Sequence, residues 1–379
     1  MLKFIDKLSG LTATVNNGVE LDGILDYVYE SFTDYIPYER IGIALLDGHG
    51  CIYAEAARSD NEPRLKQGYH MDLNETSLLS VVEKREPRIV NDYLEHLLAY
   101  PSSETTKMML DEGLRSSVAF PIVINGTSVG VIFFSSKDPY KYNEGCIPYI
   151  RMVTQNIGMA IEKNLLVDDL ILTSIIGFAK LVEAKDNDTG QHIERIQNYS
   201  KIIAENLARS DKYSKIINSR FIKDIYNFSP VHDIGKVGIP DSILLKPGKL
   251  TEPEFEIMKT HTTLGADILM KASNNLLRKG RHLFDMGIQI ILSHHEKYNG
   301  RGYPYGLEGE DIPLAARIVT VADVLDALMS KRVYKEAFPT DEALGIIKME
   351  SGKSFDPNVV DALFAGIDDI MRIYDKLRK

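Results

Sequence analysis

Six of the nine histidines of this 379-residue chain lie in its C-terminal half, and they come with acidic partners. In order these are Asp188 and His192, His232-Asp233, His261, His294-His295, and Asp323. Neutral imidazoles mixed with carboxylates suit first-row divalent metals such as iron, manganese, nickel or zinc, whereas an all-oxygen magnesium site would not need them. A lone histidine is weak grounds for a metal site. The two doublets are stronger. An aspartate carboxylate can bridge two ions with its two oxygens, and adjacent imidazoles can serve neighbouring ions, so the pattern points to a binuclear centre. His294-His295 opens the stretch HHEKYNGRGYP, where Gly300 and Gly302 permit tight turns and Pro304 stiffens the exit. Tyr303 is thereby presented toward a cleft, either to stack on a base, to hydrogen-bond a phosphate, or merely to brace the loop.

Something must bring these residues together. From about residue 170 the chain reads as mostly helical, with loops at GIPDSILLKPGKLT (238–251) and NGRGYPYGLEGEDIP (299–313). The histidine groups fall roughly thirty to forty residues apart, so helices of ordinary length can converge them on one bundle interior. Each group is expected in a helix or at its end. His232 and Asp233, if helical, diverge by about 100° and reach one cluster only when it nestles against the helix.

The N-terminal half is different. LDGILDYVYESF (21–32) has helical spacing, whereas RIGIALLD (40–47), SSVAFPIVI (116–124) and SVGVIFFSS (128–136) read as strands. Asn125-Gly126 between the last two is a hairpin signal. The pattern is α+β with an antiparallel sheet. A long helix follows over about 148–184. Leu165, Leu172 and Ala179 fall seven apart, as do Ile161, Ile175 and Val182 with an interruption at Asp168, which fits either a parallel coiled coil between two protomers or a helix packed inside one chain.

The net charge of −10 argues against DNA as a partner, so positive charge for a phosphate ester must be supplied locally. No apolar run reaches the roughly 18–20 residues that span a bilayer, and MLKFIDKLSG lacks the features of a signal peptide. A cytoplasmic protein with no membrane partner is expected. Cys51 and Cys146 form no metal-spaced pair.

Two resemblances sharpen this reading. His232-Asp233 in SPVHDIGKVGIPDSILLKPGKLTEPEFEIMKTHT (229–262), together with HHEKYNGRGYP, resembles the HD-GYP subgroup of the HD phosphohydrolases. That resemblance implies a helical bundle around a metal centre and hydrolysis of cyclic di-GMP to pGpG or GMP. It implies metal ligands at His192, His232, Asp233, His261, His294, His295 and Asp323, with Asp233 bridging, and iron ahead of manganese as the metal. It also implies catalytic roles for Asp233 and Lys236, and substrate contacts from Lys236, Gly302, Tyr303, Pro304, Arg332 and Lys335. Lys236 lies three residues after Asp233, and Arg332 and Lys335 share that spacing. Asp188 stands where some members carry a glutamate for a third ion; it either ligates that ion, making three, or turns the chain. Glu183, Asp186 and His282 read as structural. His49, His70 and His96 match no ligand pattern.

The early helix, RIGIALLD and TSVGVIFFSSKDPYKYNEGCIPYIRMVTQNIGMAIEKN (127–164) resemble a GAF domain, a class that binds small molecules or dimerises. The expected organisation is a GAF-like sensory or dimerisation domain at 1–155, a linker helix at 156–184 and an HD-GYP domain at 170–379. Two other readings stay open: a different HD-type nucleotide phosphohydrolase, and a sensor or scaffold that binds cyclic di-GMP without cutting it.

Overall fold

A computed structural model describes the chain apart from residues 1, 18, 20, 48–49, 66–67, 186–190, 278–282, 331–336 and 378–379. It divides into two compact units, Met1–Val167 and Asp168–Lys379.

The first unit is built on six antiparallel strands: β1 (Arg40–Leu46), β2 (Cys51–Ser59), β3 (His70–Asp72), β4 (Arg88–Val90), β5 (Ser116–Ile124) and β6 (Thr127–Ser136), in the spatial order β3-β2-β1-β6-β5-β4. Asn125 and Gly126 both take positive φ, 49° and 76°, which gives the β5–β6 turn the twist a tight hairpin requires. Alternation along β1 and β6 sends Ile41, Ile43, Ile132 and Phe134 to one face. There they pack with Phe4, Leu11, Ile24, Leu25 and Val28 of the helices Leu2–Asn16 and Leu21–Ser31. The helix Leu2–Asn16 and strands β2, β3 and β4 were not anticipated. β2 carries half-buried small and polar residues, and the other two strands are three residues long, too short for a periodic signal.

One helix runs Ile147–Lys185. The heptad residues do not form a free seam. Ile161 is buried in the first unit's core, Ala179 and Val182 are also buried, and Leu172 and Ile175 pack against the second unit's core. Burial in the chain's own cores claims most of the positions that a coiled coil would need, while Leu165 stays exposed.

The second unit is helical. The helix Gln191–Leu207 buries Ile193, Ile196, Tyr199, Ile203 and Ala204 and packs against Ser219–Phe228, Leu314–Met329, Pro357–Ala365 and Ile367–Leu377. Its hydrophobic core gathers Phe228, Ile290, Ile291, Ile318, Val321, Leu325 and Leu363, all nearly inaccessible.

Candidate metal centre

Local structure decides where each side chain points. His232 and Asp233 do not lie in a regular α-helix. They form the junction between two 3₁₀ turns, Ser229–Val231 and Ile234–Gly238. In a 3₁₀ turn residues i and i+3 eclipse, so Lys236 stands directly over Asp233, its amide on the Asp233 carbonyl at 2.9 Å and its Nζ on Asp233 Oδ2 at 2.9 Å. Two glycines press this turn onto the helix His261–Leu277. A Cβ on Gly235 would lie 1.8 Å from the His261 carbonyl oxygen, and one on Gly265 would lie 2.9 Å from the Gly235 nitrogen. Only glycine permits that approach, and it brings Asp233 Oδ1 to 3.3 Å from His261 Nε2.

The paired histidines end the helix Asp285–Ser293. Thr320 Oγ1 donates to the His294 carbonyl at 2.7 Å, tying the pair to the helix that carries Asp323. The following loop folds back on itself. Asn299 and Glu308 form an antiparallel bridge, and the buried carboxylate of Glu296 accepts from the Tyr305 and Leu307 amides at 2.8 and 3.1 Å. Gly302 has no room for a side chain, since a Cβ would sit 2.3 Å from the Lys297 nitrogen. The Tyr303-Pro304 peptide is cis, and the Tyr303 ring stacks on His295 with centroids 4.7 Å apart. Pro304 is half-buried beside it.

Two groups result, each with its ligand atoms close enough to hold one ion: Asp233, His261, His294 and His295, and His192, His232 and Asp323. Asp233 faces both, with Oδ1 3.3 Å from His261 and 3.7 Å from His294, and Oδ2 3.4 Å from His232. Asp323 Oδ1 lies 3.6 Å from His192 Nε2 and 3.9 Å from His232 Nε2. Three imidazoles are oriented by backbone carbonyls on Nδ1: His232 by Ser229 (2.9 Å), His261 by Met258 (2.7 Å) and His294 by Ile291 (3.1 Å). His192 Nδ1 instead meets Asp326 Oδ2 at 2.7 Å, and Arg195 donates to both oxygens of that carboxylate. Such partners on the outer nitrogen fix the tautomer and aim Nε2 inward, as in metal-bound histidines. Nε2 of His232, His261 and His294 and Oδ1 of Asp233 are buried with no hydrogen-bond partner among the described residues. Buried polar atoms are costly when unsatisfied. Three such atoms in one group and one in the other fit adjoining divalent-cation sites.

The electrostatics are uneven. Burial opposes charging of His192, but Asp326, Asp323 and Glu183 outweigh it and hold its pKa above the usual value. His232 is likewise disfavoured by burial, yet Asp233, Asp323 and Glu183 lift it to about 9. His261 falls to about 4 and His295 well below normal, through burial first, with the nearby His294 imidazole adding to it. Burial works against ionisation of Asp233, but Lys236 and His232 hold its carboxyl well below the carboxylate range.

The seven expected ligands His192, His232, Asp233, His261, His294, His295 and Asp323 thus fall in the two groups. Asp188, Arg332 and Lys335, with Asp186, His282 and His49, lie outside the described residues. His70 is exposed on β3, and His96 pairs with Arg88 and Thr106 in the first unit. Glu183 was expected to be structural, but it is buried with Oε1 3.3 Å from His192 Nε2. Asp326, Arg195 and Glu296 were also unforeseen. Asp326 and Arg195 each lie three residues after an expected ligand, a spacing that could have flagged them.

This combination is an α+β unit on a six-stranded antiparallel sheet joined in sequence to a helical unit with a histidine-aspartate centre. Residues 18–162 match the GAF domain family and residues 179–359 match the HD domain family, so the chain carries a GAF domain followed by an HD domain. An HD domain implies divalent-metal binding. The chain is 49% identical over 193 residues to a cyclic di-GMP phosphodiesterase of Vibrio cholerae, covering 51% of this chain and 39% of that protein. It is 45% identical over 188 residues to the cyclic di-GMP phosphodiesterase response regulator RpfG of Xanthomonas campestris, covering 50% and 46%. A 3'3'-cGAMP-specific phosphodiesterase of Vibrio cholerae is 36% identical over 221 residues, covering 58% and 40%. The matches span less than half the length of these relatives. No helix among the described residues is long and apolar enough to cross a membrane.

Proposed function

We propose that the chain hydrolyses cyclic di-GMP. Water adds across one P–O3′ bond to give the linear dinucleotide pGpG with a 5′-phosphate and a free 3′-hydroxyl, and a second cut gives GMP. The observation that carries this reading is the pair of adjoining histidine-aspartate groups with inward, unsatisfied Nε2 atoms, beside a loop pinned to His295. Likeness to proteins named as cyclic di-GMP phosphodiesterases supports it.

In this reading Asp233 bridges the two groups, since each of its oxygens faces a different one. Divalent cations held there would supply Lewis acidity toward the phosphoryl oxygens and lower the pKa of a nearby water. We favour iron, then manganese, because imidazole-carboxylate sets suit both. Lys236 neutralises charge on the scissile phosphate from its perch on Asp233. Tyr303, between Gly302 and Pro304, presents its ring edge and hydroxyl to the substrate while its face rests on His295. Arg332 and Lys335 anchor the second phosphate, and Asp188 adds a third ion.

The GAF-like domain at 1–155 then acts through a linker at 156–184 on the catalytic domain at 170–379, with a small molecule as its signal. A cavity of about 620 Å³ beside β4, lined by Ile89, Pro148, Arg151 and Met152, offers such a ligand room. We also propose a homodimer through the linker helix. Its seam is not the heptad residues but the exposed Leu170, Phe178 and Leu181.

The test is a full-length preparation made anaerobically and split between metal analysis and a timed assay with cyclic di-GMP. Two or more ions per chain with pGpG or GMP formed is the expected result. Metal-loaded protein that binds cyclic di-GMP without cutting it would overturn the enzymatic reading in favour of a sensor. A second substrate, 3'3'-cGAMP, is favoured by the relative named for it; side-by-side kcat/KM values decide between the two.

A further inference from the structure

The group formed by His192, His232 and Asp323 offers three ligands, whereas its neighbour offers four. A fourth candidate ligand, a carboxylate, stands beside His192. Glu183 is 7% exposed, and its Oε1 lies 3.3 Å from His192 Nε2, closer than Asp323 Oδ1 at 3.6 Å. The atom that both carboxylates face is the inward nitrogen of an imidazole whose other nitrogen is held by Asp326 at 2.7 Å. A second observation points to a ligand at this spot: His232 is fully buried, its Nε2 lies 3.9 Å from Asp323 Oδ1, and that atom has no hydrogen-bond partner among the described residues. Two carboxylates and two imidazoles share this buried pocket, a donor set that suits a first-row divalent cation.

We infer that Glu183 is a ligand of the ion held by His192, His232 and Asp323. This rests on the metal-centre reading above and extends it. With Glu183 included, one ion sees two imidazoles and two carboxylates of its own. The other sees three imidazoles and the shared Asp233. The carboxylate-rich position therefore takes the harder divalent cation. Glu183 is also the third-last residue of the helix Ile147–Lys185. A shift or rotation of that helix would move a ligand directly, so occupancy of this position would report the state of the helix.

The experiment uses full-length wild type, Glu183→Gln and Glu183→Asp, stripped by chelator and titrated anaerobically with Mn(II), with bound ion counted by metal analysis and free ion by electron paramagnetic resonance. Thermal unfolding is followed with and without Mn(II). In the wild type at least two binding steps are expected. Glu183→Gln keeps the shape and loses the charge; it should weaken one step at least tenfold, leave the remaining binding unchanged, and unfold at the wild-type temperature when metal-free. Glu183→Asp should fall between. Two unchanged binding steps in Glu183→Gln would overturn the inference while the metal centre stands, and so would metal-free destabilisation with unaltered Mn(II) binding. Should Glu183→Gln not fold, unchanged binding in Glu183→Asp would overturn it equally. A wild type that takes up no ion would overturn the metal-centre reading itself.

Discussion

At the scale of single residues the centre separates groups that hold from groups that act. Lys236 rests on Asp233 with its Nζ 2.9 Å from Oδ2 and is part-exposed, so it can turn from that carboxylate toward an incoming phosphate. Replacing it with alanine removes one cation from the place where the proposed anionic substrate would bind. The expected result is a kcat toward cyclic di-GMP lower by about 10²–10³-fold, the range for losing one preorganised charge-stabilising group, with metal content unchanged. A matching loss of metal would instead mean that Lys236 holds Asp233 in place. Glu296 acts at one remove. It caps the Tyr305 and Leu307 amides from a buried position. Glu296→Ala leaves both donors unsatisfied at a cost of about 1–3 kcal/mol each. It should raise KM several-fold through a loosened Tyr303 while metal content stays at the wild-type level, read by steady-state kinetics beside metal analysis.

At the scale of elements, the contact between the 3₁₀ turn Ile234–Gly238 and the helix His261–Leu277 sets the distance from Asp233 to His261. Gly235→Ala forces a methyl into the His261 carbonyl. Overpacking of this kind costs about 1–3 kcal/mol, and here the backbone must part where the ligands meet. A lowered melting temperature together with weakened metal uptake is expected; normal uptake would show that the centre tolerates the separation. The loop leading into the helix Glu252–Lys259 is pinned by Glu254, which accepts from Thr251 N at 2.7 Å and from Lys246. Lys246, then Thr251, lower its pKa from the usual 4.5 to about 2. A depressed carboxyl contributes stability that is complete above its unfolded value and is lost as pH falls through the folded one. Acid unfolding followed by circular dichroism should therefore be less steep between pH 4.5 and 2 in Glu254→Gln than in the wild type.

At the scale of the whole molecule, Leu170, Phe178 and Leu181 expose 58–68% of their surface on one helix. Leu170→Glu with Leu181→Glu should convert a dimer to a monomer in light scattering, and a monomeric wild type would end the dimer proposal. The ligand types, the two doublets, the hairpin at Asn125-Gly126 and the helical and strand periodicities were legible in the sequence, because each is a local property of residue type and spacing. The helix at 148–184 was legible for the same reason, but its buried face was not: seven-residue spacing marks a stripe without saying whether the stripe meets a partner or the chain's own core. His232-Asp233 reads as helical by its neighbours, yet the close approach of Gly235 to His261 tightens it into 3₁₀ turns. Glu183 carries no sign in the sequence beyond being acidic, and Asp326 only its place three residues after Asp323. Only the packing of the helices that bear them brings one carboxylate to each side of the His192 ring, since proximity across a bundle depends on how distant segments fold together.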